Sequence, residues 1–167
     1  MPSLRKRAPK RDKATDPKDA SAAELAAVAL LARRDFASGE LSAKLTERGF
    51  EAAVVEELVD RLRARRLLDD ARYAGHFVQY HSARGQGPVR IRRDLEAVGV
   101  QAALVEAALE SVPDWAALAR EVRRRRFGPK PPELWREKGR QARFLQYRGF
   151  SNDHIRTALG PDFEMDT

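Results

Sequence analysis

Three stretches decide the fold: Leu45-Thr46-Glu47-Arg48-Gly49-Phe50, Leu95-Glu96-Ala97-Val98-Gly99-Val100 and Leu145-Gln146-Tyr147-Arg148-Gly149-Phe150. They recur every 50 residues, each with a leucine four places before a glycine and an apolar residue directly after it. The register continues downstream, at Val55, Val105 and Ile155 and again at Val59, Leu109 and Leu159. A period kept at apolar positions on both sides of a glycine describes a helix, a tight turn and a second helix. The glycine ends the first helix in a left-handed conformation that other residues adopt only at a cost. The apolar residue after it packs back on the helix it terminates.

Working upstream from each glycine, a further helix face is legible. Leu25, Val28, Ala29, Ala32 and Phe36 form the first, Tyr73, Phe77 and Tyr80 the second, and Trp115, Leu118, Ala119 and Val122 the third. All follow the 3.6-residue period and predict core-facing stripes. Trp135, set among basic residues, could stack on a base, but is assigned to the core as well. Alternating strand patterns are absent. The nine prolines fall in the N-terminal stretch, in connections or at helix starts, as an all-helical chain demands. Pro88 opens a helix at its first turn, and Pro129, Pro131 and Pro132 bound a longer connection. The expected units are 23–67, 68–113 and 114–160. A lone unit of about 45 residues has a marginal core, whereas units in tandem share apolar faces. The predicted fold is all-α, an elongated curved tandem array of three three-helix repeats. Residues 1–22 carry seven basic residues and three prolines with one large apolar side chain, Leu4. That composition predicts a disordered basic arm, and residues 161–167 are expected to be a frayed tail.

Composition narrows the function classes. The 167 residues hold 32 Lys and Arg against 25 Asp and Glu, a net charge of +7, with 43% hydrophobic and 34% charged residues. Cysteine is absent, which excludes disulfides and thiolate-ligated metals and permits a reducing cytoplasm. The longest apolar run, Leu25 to Ala32, is eight residues, far short of the ~18 of a membrane span. A basic N-terminus before that run invites a secretory reading, but Glu24 and Arg33-Arg34-Asp35 are poor flanks for one. A cytoplasmic protein is expected.

The positive surplus lies at the ends. Residues 1–22 and 114–167 each carry a net +4, while 23–67 is neutral and 68–113 is −1. Two clusters are candidate anion contacts. One is Arg84, Arg90, Arg92 and Arg93, around the Gly85–Pro88 turn. The other is Arg123, Arg124, Arg125 and Arg126, followed by Lys130, Arg136, Lys138, Arg140 and Arg143. Both also fit a solvated face, with arginines favoured near helix C-termini by the macrodipole. Base reading by a helix–turn–helix is disfavoured, because the helices after the glycines open with acidic and apolar turns: Glu51, Glu56 and Glu57, then Val100 to Glu106, then Ser151 and Asp153. Catalytic signals are weak. His76 and His81 are five apart and do not share a face as i, i+4 ligands would, and His154 stands alone. Asp69-Asp70 precedes an apolar stripe and is placed as a helix cap. Gly85-Gln86-Gly87 lacks the strand and the further glycines of a phosphate loop. No enzyme, metal or cofactor is expected.

Several segments together resemble the RecX family, which regulates the RecA recombinase. They are Leu30 to Arg34 with Glu40-Leu41 and Lys44-Leu45, then Leu68-Asp69-Asp70-Ala71-Arg72-Tyr73-Ala74. Gly87, Arg90-Ile91, Asp94-Leu95 and Gly99-Val100 follow, then Phe144-Leu145 with Arg148-Gly149-Phe150-Ser151. The likeness covers about 25–160. It departs where Ala37 replaces the Ser that often opens a capping box with Glu40, and where Asp94 replaces a Glu. The resemblance implies a nine-helix tandem repeat that binds the RecA–single-stranded-DNA filament and curbs its extension, ATPase, strand-exchange and coprotease activities. It implies a monomer whose partners are RecA and, without sequence preference, single- and double-stranded DNA. A general nucleic-acid-binding helical protein acting without RecA is the rival reading.

Overall fold

The computed structural model describes residues 16–160 and residue 163. Among the described residues there are nine α-helices and no strand: α1 Ala20–Leu31, α2 Ser38–Glu47, α3 Ala52–Ala64, α4 Asp70–Ala83, α5 Pro88–Ala97, α6 Ala102–Leu109, α7 Trp115–Phe127, α8 Trp135–Arg148 and α9 Asn152–Leu159. They form two compact units, one ending at Leu68 and the other starting at Asp69. The first unit is one three-helix repeat, in which α3 packs on α1 and α2. The second holds two repeats, α4–α6 and α7–α9.

The 50-residue register is carried by one hydrogen-bonded device. The N–H groups of Phe50, Val100 and Phe150 donate to the carbonyls of Leu45, Leu95 and Leu145, at 3.3, 3.2 and 3.1 Å. The N–H groups of Gly49, Gly99 and Gly149 donate to residues three places back, each at 2.9 Å. These paired bonds satisfy the carbonyls a helix leaves open at its end. They require φ of +97°, +83° and +92° at the glycines. The apolar positions of the register are core: Leu41, Leu45, Phe50, Val55 and Val59 in the first repeat, and Ile91, Leu95, Val100, Val105 and Leu109 in the second. In the third, Leu145, Phe150, Ile155 and Leu159 pack together. Asp69 caps α4 by accepting the Arg72 N–H at 2.9 Å, as its place before the stripe predicts. α2 opens at Ala37 with no side-chain cap. Ser38 is buried there instead and accepts a hydrogen bond from Arg63 Nε.

Five expectations are corrected. On α1 the buried residues are Ala23, Ala27 and Leu30, while Leu25 and Val28 face solvent. The helix is apolar nearly all round, so its period carries no phase, and only docking on α2 and α3 selects a face. In α4 the fully buried side chains are Ala74 and Val78, Tyr73 and Phe77 are half-buried, and Tyr80 is exposed. Trp135 is exposed too, with its ring 5.3 Å from Phe163. Finally, residues 16–22, read as arm, are structured: Asp19 caps α1 through the Ala22 N–H, and the Pro17 carbonyl accepts from Glu51 N–H at 2.9 Å. Residue 163, read as tail, is a buried part of the third core. The remainder of the predicted arm, 1–15, lies outside the described residues, as do tail positions 161–162 and 164–167.

Within the second unit, the α4–α5 turn is spliced to the α8–α9 turn. Gly87 N–H donates to the Arg148 carbonyl at 2.8 Å, and Val89 N–H donates to the Gly149 carbonyl at 3.0 Å. The backbones meet so closely that a Cβ on Gly87 would lie 2.5 Å from Phe150 N and overlap the Gly149 carbonyl. This seam positions the basic side chains described next.

Candidate nucleic-acid interface

Two clefts flank the seam. The first, about 370 Å³, is lined by Arg84, Arg125, Arg126 and Arg148 over Val122 and Phe144. Arg84 comes from the end of α4, Arg125 and Arg126 from the last turn of α7, and Arg148 from the last turn of α8. Basic residues suit these places because helix C-termini carry partial negative charge. Gathering three such ends in one place leaves a surplus of cations with no acid in the lining. Arg148 Nη1 donates to the Arg84 carbonyl at 3.2 Å, and the Arg84 guanidinium lies 4.1 Å from the centre of the Tyr80 ring. Arg125, and Arg124 beside it, bind Glu121 at 2.8–2.9 Å. Hydrogen bonds from the two guanidinia hold the Glu121 carboxyl below its usual range.

The second cleft, about 530 Å³, is lined by Val89, Arg90, Arg92, Arg93 and Glu96 of α5, and by Gln146 and Tyr147 of α8. Arg92 makes a two-pronged contact with Glu106 on α6, at 2.6 and 3.0 Å. That hydrogen bonding raises the Arg92 guanidinium and lowers the Glu106 carboxyl. Arg93 reaches Asp94 at 3.1 Å, and Arg90 Nε lies 3.7 Å from the same carboxylate. Exposed ion pairs of this kind are worth little, so a phosphate can replace the carboxylate partner at small cost.

The seam therefore unites parts of the two sequence clusters: Arg84 meets Arg125 and Arg126 in one cleft, and Arg90, Arg92 and Arg93 share the other. Arg124, Lys130, Arg136, Lys138, Arg140 and Arg143 line neither. Arg140 is taken up by Glu137 at 2.8 Å and lies 5.3 Å from the Phe127 ring centre.

Arg123 is a correction. It is 5% exposed, and its guanidinium donates to the carbonyls of Gly128 (2.8 Å), Lys130 (3.0 Å) and Pro129 (3.3 Å) and to Gln141 Oε1 (3.4 Å). The proline-rich connection from Gly128 to Pro132 has no helical ladder to satisfy its carbonyls. The fork of guanidinium N–H groups does so from inside. Four successive arginines occupy slightly more than one helical turn, so one of them must face inward.

Tyr147 and Arg148 were not singled out by charge or periodicity. A signal for Tyr147 existed in the register: the equivalent positions are Glu47 and Ala97, both solvent-facing. An aromatic at such a position has no core to serve. A third basic cleft, about 430 Å³, lies in the first unit among Arg33, Arg34, Lys44 and Arg48. There Arg34 already binds Glu40 with both Nη atoms and covers the Phe36 ring at 3.8 Å.

None of the three histidines lines either seam cleft. His81 stacks on Phe77 at 4.0 Å, and His154 exchanges hydrogen bonds with Ser151 in a capping box. Burial lowers the pKa of both imidazoles. Among the described residues no cluster of three or more His, Asp or Glu could hold a metal ion, and no helix is long and apolar enough to cross a membrane. Cationic walls around exposed rings are equipped to take the phosphates and bases of a nucleic acid.

The family models, relatives and crystal structures that follow belong to one family. Residues 23–62, 69–109 and 114–159 match the models of the first, second and third three-helix domains of RecX. Regulatory protein RecX of Halorhodospira halophila is 44% identical over 142 residues, covering 84% of this chain and 88% of that protein. Regulatory protein RecX of Pseudomonas fluorescens is 42% identical over 134 residues, covering 80% and 86%. The crystal structure of RecX from Lactobacillus salivarius superposes with a TM-score of 0.73 over 84% of this chain and 94% of that one. A second RecX crystal structure gives 0.71 over 83% and 70%. At 22% and 23% identity these two structures speak for the fold.

Proposed function

Because this chain belongs to the RecX family of regulatory proteins, we propose that it acts on RecA, binding the RecA–single-stranded-DNA filament and limiting its extension. ATP hydrolysis, strand exchange and coprotease activity of RecA fall as a consequence. The observation that carries this reading is the match of all three family domains in tandem, and the basic seam between the second and third repeats supports it. A regulator of this kind acts as a cytoplasmic monomer through many shallow contacts rather than a deep reaction pocket, with avidity supplied by the repeats. Both seam clefts are open and arginine-lined, as phosphate contact requires. Arg84, Arg90, Arg92, Arg93, Arg125, Arg126 and Arg148 meet the filament there, and Arg124, Lys130, Arg136, Lys138, Arg140 and Arg143 extend the positive surface.

The test is a titration of the full chain into RecA on single-stranded DNA while ATP hydrolysis is followed. Inhibition at substoichiometric ratios is expected. Tight, salt-dependent DNA binding without any effect on RecA supports the rival, a nucleic-acid-binding protein acting independently.

A further inference from the structure

We propose that Tyr147 is a stacking platform for an unpaired base, so that the cleft between α5 and α8 selects single-stranded over duplex nucleic acid. The inference deepens the reading of the seam as a surface for the DNA of a filament and rests on it.

The ring stands apart from the other aromatic residues of the molecule. Tyr147 is 79% exposed. Tyr80, the other strongly exposed tyrosine, is covered by Arg84, and Trp135 faces Phe163. Phe36 is covered by Arg34, Phe144 packs on Phe127, and Tyr73, Phe77 and His81 stack in sequence. Among the described residues Tyr147 has no ring or guanidinium partner. A ring left in water contributes nothing to the core. Leu145, two residues earlier, does the packing at this end of α8.

Its surroundings supply the other parts of a nucleotide site. Arg90, Arg92 and Arg93 give one wall positive charge for the phosphates, and Val89, 48% exposed, adds an apolar surface. Glu96 and Gln146 offer an acceptor and an amide to the edge of a base. Base stacking on an aromatic tolerates any sequence, because every base presents a π-face. Within a duplex those faces are already occupied by neighbouring bases. Only an unpaired base can reach the ring, whereas the arginines serve both kinds of strand.

The experiment compares the full chain with Tyr147→Ala and Tyr147→Trp. Fluorescence anisotropy is read on a labelled oligo(dT) of about 16 nucleotides and on a labelled duplex of the same length. Tyr147→Ala is expected to bind oligo(dT) about 5- to 150-fold more weakly, with duplex affinity nearly unchanged. Tyr147→Trp retains single-strand affinity. Equal affinity of wild type and Tyr147→Ala for oligo(dT) overturns the proposal, as does equal loss on both substrates or a wild type that does not bind oligo(dT). Loss of RecA binding with DNA binding intact also overturns it, and makes Tyr147 a protein contact instead. RecA ATPase inhibition, measured on the same preparations, reports separately. Wild type that inhibits RecA while Tyr147→Ala binds oligo(dT) normally defeats the stacking role alone. Wild type that never inhibits defeats the RecA reading.

Discussion

Replacing Gly87 by Ala isolates the seam from every other source of stability. The residue has φ −87°, which alanine adopts without strain. Restricting the unfolded chain would by itself stabilise the protein by about 0.4–1 kcal/mol. The seam opposes this. The new methyl would overlap the Gly149 carbonyl and sit 2.5 Å from Phe150 N, both backbone groups with no rotamer in which to retreat. Relief requires the two turns to part, which breaks the Gly87–Arg148 and Val89–Gly149 hydrogen bonds. At about 0.5–1.5 kcal/mol net each, their loss amounts to about 1–3 kcal/mol. Taking the middle of both ranges, a net destabilisation of about 1.3 kcal/mol remains. With a urea slope of about 1–3 kcal/mol/M, the unfolding midpoint of the second unit falls by roughly 0.5–1 M. Gly75→Ala, inside α4 where no atom lies within 4 Å of the new Cβ, is the control. It is expected to gain about 0.5–1 kcal/mol, because glycine weakens a helix interior. Chemical denaturation of both variants, followed by circular dichroism, decides the matter. A Gly87→Ala protein as stable as wild type, or more so, refutes the close backbone contact and the placement of the arginines it supports.

The arginine run separates into two behaviours. Arg123→Ala strands the carbonyls of the α7–α8 connection and is expected to destabilise by about 2–3 kcal/mol in the same assay. Replacing Arg124, Arg125 and Arg126 together leaves the stability within about 1 kcal/mol of wild type. The triple variant also flattens the salt dependence of DNA binding by about one unit of slope per lost phosphate contact, read by anisotropy across a salt series. Glu106→Gln removes the negative charge and one of the two oxygens that hold Arg92 and so loosens that guanidinium toward phosphate; DNA affinity measured at low salt should rise rather than fall. Stability should also respond to pH through His81 and His154, whose imidazoles are lowered by burial. The unfolded chain binds protons at about 6.5 and the folded chain only below that. Stability is therefore complete above about pH 6.5 and is lost as pH falls toward the lowered folded values. Thermal unfolding near pH 7.5 and near pH 5.5 should show this, with a smaller drop in His81→Gln; a higher melting temperature at the acid end would contradict the burial of both rings.

Where the chain had one local answer, the residues supplied it. A glycine flanked by apolar residues in a fixed register admits one economical conformation, so Gly49, Gly99 and Gly149 announced their turns and Leu45, Leu95 and Leu145 their core. Asp69 announced its cap for the same reason. The RecX resemblance rested on such local segments, and the family matches agree with it. Other features had no local answer. Apolar all round, α1 received its buried face from α2 and α3. The inward arginine of the Arg123–Arg126 run was chosen by the carbonyls of a connection up to seven residues downstream. The meeting of Arg84 with Arg125, Arg126 and Arg148, and the solitude of the Tyr147 ring, depend on two turns more than sixty residues apart touching backbone to backbone. Periodicity and propensity act over a few residues along the chain, whereas burial, ion pairing and cleft formation are set by neighbours in space. The helices and turns were therefore determined by the sequence alone, and the composition of the interface by tertiary packing.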